Sequence, residues 1–540
     1  MLAVTRPLAV RDRIPARPEP PFDRFQDPLT ADVASGGPLG ARLAGSWRDD
    51  EALRARAAKR KPLPPALAQA MREQHARLGA SSASLAALER LARGEAVCAI
   101  AGQQPAPLGG PLYGLHKAAS AVGIARRVTA RIGVPCVAVY WNHVEDSDFD
   151  EIRGATVADA DLVLHELTLP ATAHVEGGLV GAIASAALEN PTEQALAAWR
   201  SLPAHAEVER LLRGALARGR DLGDVHGALL LELFADAGLI VVDPRLPEFR
   251  AAARPLIDRY LARHEPLSQS ARRAGDELAT MIGKRPLNDA ALESFVFAIE
   301  DGRRHKIAVQ DAARLPASTP LSPSVALRPV VQDFVLPTAA MACGPGELAY
   351  LAQLGGVFEG LEVLGACPVP RFAATWLPPA AVELIEATGA EPWQVVLATD
   401  QVLRRRAEGL VPGALARAHD DLRSEVERRL AALSGESRSL DPSLPQLVES
   451  TRSKIDYQIG RVAEGLVGKA CHRLEREHPA WPRLRYYLLP GDKLQERRLA
   501  ALEPVAHRGA HVALELCDLA EAHAHALEGG TWTHDLLELR

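Results

Sequence analysis

The segment that decides the fold reads Ala96-Val-Cys-Ala-Ile-Ala-Gly-Gln-Gln-Pro-Ala-Pro-Leu-Gly-Gly-Pro-Leu-Tyr-Gly-Leu-His-Lys117. Its apolar start, Ala96–Ile100, predicts a buried strand, and the glycines and prolines that follow predict a tight turn. Pro111 lies where a helix can begin, because the first helical turn leaves its N–H groups unbonded and proline has none. An alanine-rich amphipathic run then extends to about Ile132.

A second apolar run, Val134–Trp141, completes the order of strand, glycine-rich turn, helix and strand. This order predicts a βαβ unit in which strands at about 96–101 and 134–141 are adjacent and parallel. Such a turn presents N–H groups, here near Gly109 to Leu112, together with the dipole of the following helix. Both favour the binding of an anion, usually a phosphate.

An acidic loop follows the second strand and reads Asn142-His-Val-Glu-Asp-Ser-Asp-Phe-Asp-Glu151, with five acids within seven residues. The carboxyl ends of parallel strands meet at one edge of the sheet, where open α/β sheets bind ligands. We therefore expect the turn and the acidic loop to face one crevice. The acids at alternate positions could bind Mg²⁺ or an ammonium group, or they could form only a solvated turn, which the spacing alone favours.

The helix after the turn carries a cation that could reach the crevice. Tyr113 and Lys117 are four residues apart and share a helix face. The long stem of a lysine can extend back toward the start of its helix. The alternative interpretation is a tight connection between strand and helix that binds no ligand.

Further polar side chains lie in the apolar, turn-rich sequence between 328 and 371. Arginine is well suited to binding carboxylates, so Arg328 and Arg371 are candidates for recognising an acidic ligand, with Gln332 and Asp333 beside them. The alternative is an internal ion pair between Arg328 and Asp333. The sequence pattern favours neither.

The composition is that of a large globular protein. Its 540 residues are enough for more than one domain. Of these residues, 47% are hydrophobic and 24% are charged. A net charge of −6 gives no general positive field for nucleic acid. No run is apolar and long enough to cross a bilayer. The six cysteines form no C-x-x-C pair, which favours reduced thiols and a cytoplasmic location.

Two amphipathic stripes predict a helical arm near the C-terminal end. The first stripe contains Leu415, Ala418, Leu422, Val426, Leu430 and Leu433, and the second contains Leu444, Val448, Ile455, Ile459, Val462 and Leu466. A breaker over 435–442 separates them, so we predict two antiparallel helices over 413–434 and 443–475. An arm of this kind usually serves packing or dimerisation.

The last part of the chain is rich in histidine: His507, His511, His523, His525 and His534. No cysteine or carboxylate completes a recognised zinc pattern with them. We therefore predict that these histidines lie on helix surfaces.

Six motifs, in order, resemble the signature of the bacillithiol-biosynthesis cysteine-adding enzymes. They are Gly102-Gln-Gln…Gly110-Pro-Leu-Tyr113…Lys117, Trp141…Glu145-Asp-x-Asp148-Phe-Asp-Glu151, Arg328-Pro-x-x-Gln-Asp333…Pro337, Gly344-Pro-Gly-Glu347-x-x-Tyr350, Pro370-Arg371 and Leu494-Gln-Glu-Arg497. Each motif alone is weak, whereas six in the family's order over nearly the whole chain are specific.

The resemblance implies an α/β fold whose Rossmann-like core is of the nucleotidylyltransferase and class I aminoacyl-tRNA synthetase type, with insertions. It also implies an α-helical antiparallel coiled-coil arm through which two copies form a homodimer. We place the core at 1–375, the arm at 376–480, and a C-terminal segment that returns to the core at 481–540.

The activity implied by the resemblance is addition of L-cysteine to the amine of glucosaminyl-malate, giving bacillithiol, through activation of a carboxylate. ATP is the expected cofactor and Mg²⁺ a candidate, while nucleic acid and membrane are not expected partners. The predicted catalytic residues are Lys117, Glu145 and Asp146. The predicted binding residues are Gly102, Gln103, Gln104, Gly110, Tyr113, Asp148, Arg328, Gln332, Asp333 and Arg371.

The chain departs from the family pattern at two positions. Ser147 stands where the family usually has histidine, and His116 precedes Lys117 where an aromatic residue is common. Residue 147 cannot supply an imidazole in this chain, although His143 is close in sequence. Two other functions stay open: a nucleotidylyltransferase-like enzyme with another acceptor, and a non-catalytic helical-arm scaffold on a degenerate nucleotide fold.

Overall fold

A computed structural model describes residues 7–15, 28–312, 314–316 and 318–539. Over these residues the chain divides into two compact units, 1–379 with 490–540, and 380–489. The strands are β1 (Ala9–Pro15), β2 (Val97–Gln103), β3 (Cys136–Asn142), β4 (Gly154–Ala158), β5 (Leu164–Thr168), β6 (Ile240–Val242), β7 (Val296–Glu300), β8 (Arg303–Lys306), β9 (Leu321–Pro323), β10 (Thr338–Cys343), β11 (Cys367–Pro370), β12 (Ala374–Leu377) and β13 (Thr533–Glu538).

The helices are α1 (Pro28–Ser35), α2 (Asp50–Ala58), α3 (Pro65–Leu78), α4 (Ser82–Ala92), α5 (Leu112–Ile132), α6 (Phe149–Ile152), α7 (Glu189–Ala198), α8 (His205–Arg218), α9 (Leu222–Leu233), α10 (Pro247–Ile282), α11 (Asp289–Glu293), α12 (Val309–Ala312), α13 (Arg328–Val335), α14 (Pro345–Gln353), α15 (Gly355–Gly360), α16 (Pro379–Thr388), α17 (Pro392–Glu408), α18 (Gly413–Ser437), α19 (Leu444–Glu477), α20 (Ala480–Leu488), α21 (Glu503–Arg508) and α22 (Val512–Glu528). None of the helices in these ranges is both long and apolar enough to cross a membrane.

A five-stranded parallel sheet in the order β11-β10-β2-β3-β6 forms the centre of the larger unit. The predicted βαβ unit is confirmed, because β2 and β3 pair in parallel and α5 connects them. Their register sets Gln103 opposite Asn142, so the turn and the acidic loop leave the same edge of the sheet. That edge carries the candidate site.

Close packing against α5 joins the C-terminal helix α22 to this unit. A Cβ added to Gly123 of α5 would lie 2.5 Å from the backbone nitrogen of Glu521 in α22. Only a glycine lets the two backbones approach so closely. The last strand, β13, pairs with both β1 and β12. Residues 490–539 are therefore an integral part of this unit.

The smaller unit contains the two helices predicted from the amphipathic stripes. Helices α18 and α19 pack antiparallel, since Arg423 pairs with Asp456 at 2.9 Å and Arg452 pairs with Glu427 at 3.5 Å. Several large apolar side chains of these helices remain exposed, including Leu422 at 53% and Val462 at 55%. The coiled-coil geometry implied by the family resemblance stays a prediction.

The prediction that the C-terminal histidines lie on helix surfaces is wrong for three of them. His507, His523 and His534 are buried, and His534 belongs to strand β13 rather than to a helix. Burial lowers the pKa of His523 to about 4 and that of His534 to about 3. Histidine is a polar residue, which suggested a surface position. These three side chains are buried because residues far away in the sequence pack over them.

Four buried histidines should make the free energy of unfolding depend on pH in the acid range. Burial lowers the pKa of His75, His226 and His523 from 6.5 to about 4. Burial lowers the pKa of His534 to about 3. Below pH 6.5 the unfolded chain takes up protons that these folded imidazoles do not. The free energy of unfolding should therefore fall as pH drops from 6.5 toward 4, by roughly 1.4 kcal/mol per pH unit for each histidine.

The variant His226→Phe should flatten this dependence, because neither ring nitrogen of His226 has a hydrogen-bond partner among the described residues. Thermal melting followed by circular dichroism at several pH values measures the slope. His472→Phe is the control, since that side chain is 74% exposed. Equal slopes for the wild type and His226→Phe would contradict the assignment.

Candidate active site

Lys117 forms the centre of a buried network at the carboxyl edge of the sheet. Its Nζ donates to the carbonyl of Gly102 at 2.8 Å and to Oε1 of Gln103 at 3.1 Å, and it pairs with Oε2 of Glu347 at 2.7 Å. Burial lowers the pKa of Lys117, while Glu347 opposes the shift. Glu347 also accepts from the backbone N–H of Gly344 at 2.8 Å, so it caps helix α14. The network thus joins the ends of β2 and β10.

Gly102 is glycine because β3 passes too close for a side chain. A Cβ there would lie 2.6 Å from the carbonyl oxygen of Trp141 and 2.8 Å from Nε2 of His143. Gly102 therefore admits the neighbouring strand and offers its carbonyl to Lys117, and its predicted binding role stays a prediction.

Glutamine amides hold the acidic loop beside this network. Nε2 of Gln104 donates to Oδ2 of Asp146 at 3.1 Å and to Oε2 of Glu151 at 2.6 Å. Oε1 of Gln104 accepts from Nε2 of Gln103. Burial raises the pKa of Glu151 against the opposing hydrogen bond from Gln104. Asp146, whose side chain is 33% exposed, remains accessible.

Glu145 forms hydrogen bonds that are separate from this cluster. Its Oε1 accepts from Nη2 of Arg250 at 2.6 Å, and its Oε2 accepts from the hydroxyl of Ser322 at 2.8 Å. Burial raises the pKa of Glu145, and Arg250 opposes that shift. Both oxygens of this predicted catalytic residue are therefore occupied within the fold.

A cavity of about 650 Å³ opens at this edge of the sheet. The residues predicted to share a crevice do line it: Gln103, Gln104, Lys117, Glu145 and Asp146, joined by Tyr113, Arg328 and Arg371. They come from strand ends and helices that are far apart in the chain, and the parallel sheet brings them together.

The two predicted arginines differ in their surroundings. Arg371 forms a two-point ion pair with Glu496, with Nη1 2.8 Å from Oε2 and Nη2 bonded to Oε1. Burial alone would raise the pKa of Glu496, but Arg371 and a 3.0 Å hydrogen bond from His116 hold it well below its usual range. Arg328 instead bonds to the hydroxyl of Tyr350. Its Nη1 has no hydrogen-bond partner in the described part of the chain.

Besides Gly102 and Gly110, three predicted site residues do not line this cavity. Gln332 donates to Asp333 at 3.0 Å, and Asp333 accepts from the backbone N–H of Ala366 at 2.7 Å. Burial raises the pKa of Asp333 to about 6. Asp148 caps the short helix α6 by accepting from the N–H of Glu151 at 3.1 Å. These three side chains bond within the fold and support the elements around the site. The alternative ion pair between Arg328 and Asp333 does not form.

A second cavity, of about 980 Å³, adjoins the first and shares five lining residues with it: Tyr113, Glu151, Pro345, Arg371 and Arg497. Gly110 and Pro111 line only this second cavity. Two of the expected phosphate donors at the turn are already bonded. Gly110 N donates to Pro107 O at 3.0 Å, and Leu112 N donates to Leu499 O at 2.8 Å. The basic side chains Arg153, Lys493, Arg497 and Arg498 instead line this cavity.

The residues present offer only a partial metal site. Within the described ranges no three His, Cys, Asp or Glu side chains are grouped to hold a metal ion. Mg²⁺ commonly uses one or two protein carboxylates together with substrate phosphates. Glu151, which borders both cavities, fits that lesser requirement.

Sequence reasoning did not place several residues of the first cavity in the site, among them Arg304 and His143. Arg304 lies in a run of charged residues, 300–306, that predicts a solvated turn, yet its side chain is only 12% exposed. His143 borders the cavity with a buried, unpartnered Nε2. Its place at the end of a predicted parallel strand was the only available signal.

The family described as "Bacillithiol biosynthesis BshC, N-terminal Rossmann-like domain" matches residues 44–319 and 315–372. The chain belongs to the BshC family. Its relatives include the "Putative cysteine ligase BshC" of Koribacter versatilis, 30% identical over 471 residues, or 84% of this chain and 87% of the relative. Proteins of the same name from Solibacter usitatus and Geobacillus kaustophilus are 29% and 27% identical, over 81% and 87% of this chain and 84% and 91% of their own lengths. The Rossmann-like expectation is confirmed.

Substitutions of Lys117 and Glu347 should have coupled effects on the free energy of unfolding, because the two side chains form a buried ion pair. Lys117→Met leaves Glu347, only 11% exposed, without its cation, and breaking a buried pair costs about 3–5 kcal/mol. The double variant Lys117→Met, Glu347→Gln should recover part of that loss. Urea denaturation of the four proteins measures the coupling. Lys493→Met, at an exposed lysine, should change little, and additive effects of the pair would contradict the assignment.

Proposed function

We propose that this protein is a cysteine ligase of bacillithiol biosynthesis, which joins the carboxylate of L-cysteine to the amine of glucosaminyl-malate. One observation carries the proposal: a single cavity gathers family-motif residues from the ends of β2 and β3 and from helices α5 and α13. The name given to the relatives, cysteine ligase, supports the same chemistry. A degenerate scaffold would not need these groups to meet.

The attacking amine must be neutral and must lose a proton as the amide bond forms. Asp146 suits this role, because it borders the cavity and is partly exposed. Glu145 suits it less, because it is 6% exposed and pairs with Arg250 at 2.6 Å, whereas the oxygens of Asp146 accept from amide N–H groups. We therefore assign proton acceptance to Asp146 and a positioning role to Glu145. Because Glu347 neutralises Lys117, we assign Lys117 a positioning role, in which its ammonium group holds Gln103 and the end of β2 at the cavity wall.

The second cavity is the proposed site of ATP. Lys493, Arg497 and Arg498 offer the positive charge that phosphates require, and Glu151 offers a carboxylate for Mg²⁺ at the border of the two cavities. ATP, when bound there, would supply the activation of the cysteine carboxylate that amide formation requires. Tyr113 lines both cavities, so the proposed nucleotide and acceptor sites adjoin.

The direct test incubates the protein with L-cysteine, glucosaminyl-malate and ATP and follows the product by mass spectrometry, with each component omitted in turn. Bacillithiol formed only in the complete mixture supports the proposal. Turnover of ATP with another acceptor and no bacillithiol would favour the nucleotidylyltransferase alternative. No turnover of any component would favour the scaffold.

Asp146→Asn should lower kcat and kcat/KM for ligation together by more than about tenfold, roughly 1.4 kcal/mol in barrier height. The amide keeps the size of the carboxylate but cannot take up the proton. Asp148→Asn is the matched control, because Asp148 lies two residues away, is exposed and does not line the cavity. Equal steady-state rates for Asp146→Asn and the wild type would remove Asp146 from the mechanism.

We also propose a homodimer through helices α18 and α19, whose exposed apolar residues include Leu422 and Val462. Exposed apolar groups concentrated on one element favour a protein partner. Leu422→Glu and Val462→Glu should convert a dimer to a monomer in light scattering. Val175→Glu, at an apolar residue of the other unit that is 57% exposed, should not. A monomeric wild type, or a dimer that survives both changes, would refute the proposal.

A further inference from the structure

Three of the cations around the first cavity are neutralised within the fold. Lys117 pairs with Glu347, Arg371 with Glu496, and Arg250 holds Glu145. Because these charges are already compensated, they have little affinity left for an anionic ligand.

Arg304 and Arg328 are different. Nη2 of Arg304 donates to the carbonyl of Pro323 at 2.7 Å, and its Nη1 forms a long ion pair with Oδ1 of Asp146 at 3.7 Å, beyond hydrogen-bond distance. In the described part of the chain, the hydroxyl of Tyr350 is the one hydrogen-bond partner of the Arg328 guanidinium. Nε of Arg304 and Nη1 of Arg328 have no hydrogen-bond partner within the described ranges.

Both guanidinium groups are largely removed from water. Arg328 is 9% exposed and the side chain of Arg304 is 12% exposed, with its guanidinium 3.9 Å from the ring centre of Phe297. Burying a charge without a full counter-charge is unfavourable. A ligand with negative charge in this cavity would relieve that cost at both arginines.

His143 does not supply the missing charge. It borders the same cavity, and burial together with Arg328, Lys117 and Arg304 keeps the pKa of its imidazole well below the ordinary value. The imidazole is therefore neutral at physiological pH and can act only as a hydrogen-bonding group. Among the described residues Arg328 has no ion-pair partner, and Arg304 has only the long ion pair with Asp146 at 3.7 Å.

We propose that Arg304 and Arg328 together bind the two carboxylates of the malate part of the acceptor. This inference rests on the proposed function and adds Arg304 as a residue that determines acceptor specificity. The two arginines come from strand β8 and helix α13 and meet at one cavity. Two fixed positive charges match a dicarboxylate better than cysteine, whose single carboxylate must remain free to react.

The phosphates of a nucleotide are the competing source of negative charge. Neither arginine lines the larger cavity, whereas Lys493 and Arg498 line that cavity alone and Arg497 lines both. The placement therefore favours the dicarboxylate. The same chemistry predicts that free L-malate competes with the acceptor and not with ATP.

Arg304→Gln and Arg328→Gln should each raise KM for glucosaminyl-malate by at least about tenfold, because a charge-assisted contact is lost, with KM for L-cysteine and for ATP nearly unchanged. Both variants should also lose the preference of the wild type for glucosaminyl-malate over the methyl glycoside of glucosamine. Arg304→Lys should retain part of the affinity. Arg314→Gln is the control, since that side chain is 79% exposed and pairs with Asp311.

Calorimetric titration with L-malate separates this inference from the proposed function, because it needs no turnover. Binding to the wild type that is weakened at least about tenfold in both glutamine variants supports the pair of arginines, even if ligation is never observed. If a glutamine variant does not fold, Arg304→Lys and malate-induced thermal stabilisation of the wild type provide the same readout. A rise in KM for ATP instead, or unchanged malate binding in both variants, would overturn the inference.

Discussion

The buried ion pair between Lys117 and Glu347 is the interaction on which the site depends. Lys117 also bonds the carbonyl of Gly102, so one ammonium group joins the end of β2 to the helix that follows β10. Because a buried charge is costly without its partner, neither group can move alone. Gly102 lets β3 pass against the same point. Three neighbouring strands are thereby fixed at the edge where the candidate ligands would bind.

Ion pairing separates the charged residues around the site into two groups. One group stabilises the fold, and the other remains able to bind a ligand. Glu145 attaches helix α10 to the acidic loop through Arg250, and Glu496 attaches the C-terminal segment to the end of β11 through Arg371. A charge satisfied within the fold stiffens it and has little affinity left for a ligand. Arg328 retains that capacity, and so does Arg304, whose ion pair with Asp146 is long at 3.7 Å.

The C-terminal segment changes how the glycine-rich turn can act. Leu499 accepts from the N–H of Leu112, and Ala501 donates to the carbonyl of Gly110, so chain 499–501 covers the start of helix α5. A helix terminus whose amides are bonded offers less to an anion. Basic side chains around the larger cavity take over that role in the proposed function. The segment thus covers the predicted anion site at the turn, while its own residues Lys493, Arg497 and Arg498 line the larger cavity that we propose for ATP.

The sequence by itself determined the βαβ unit, because apolar runs, turn residues and Pro111 are local signals. The topology of parallel strands then sufficed to predict that Gln103, Gln104, Lys117 and Asp146 would meet. Tertiary structure alone decided which charges are free. Glu145 meets Arg250, Arg371 meets Glu496, and Arg304 enters the cavity through contacts far apart in the chain. The physical reason is that the pKa and binding capacity of a charged group depend on burial and on opposite charges within a few ångströms, which no local pattern encodes.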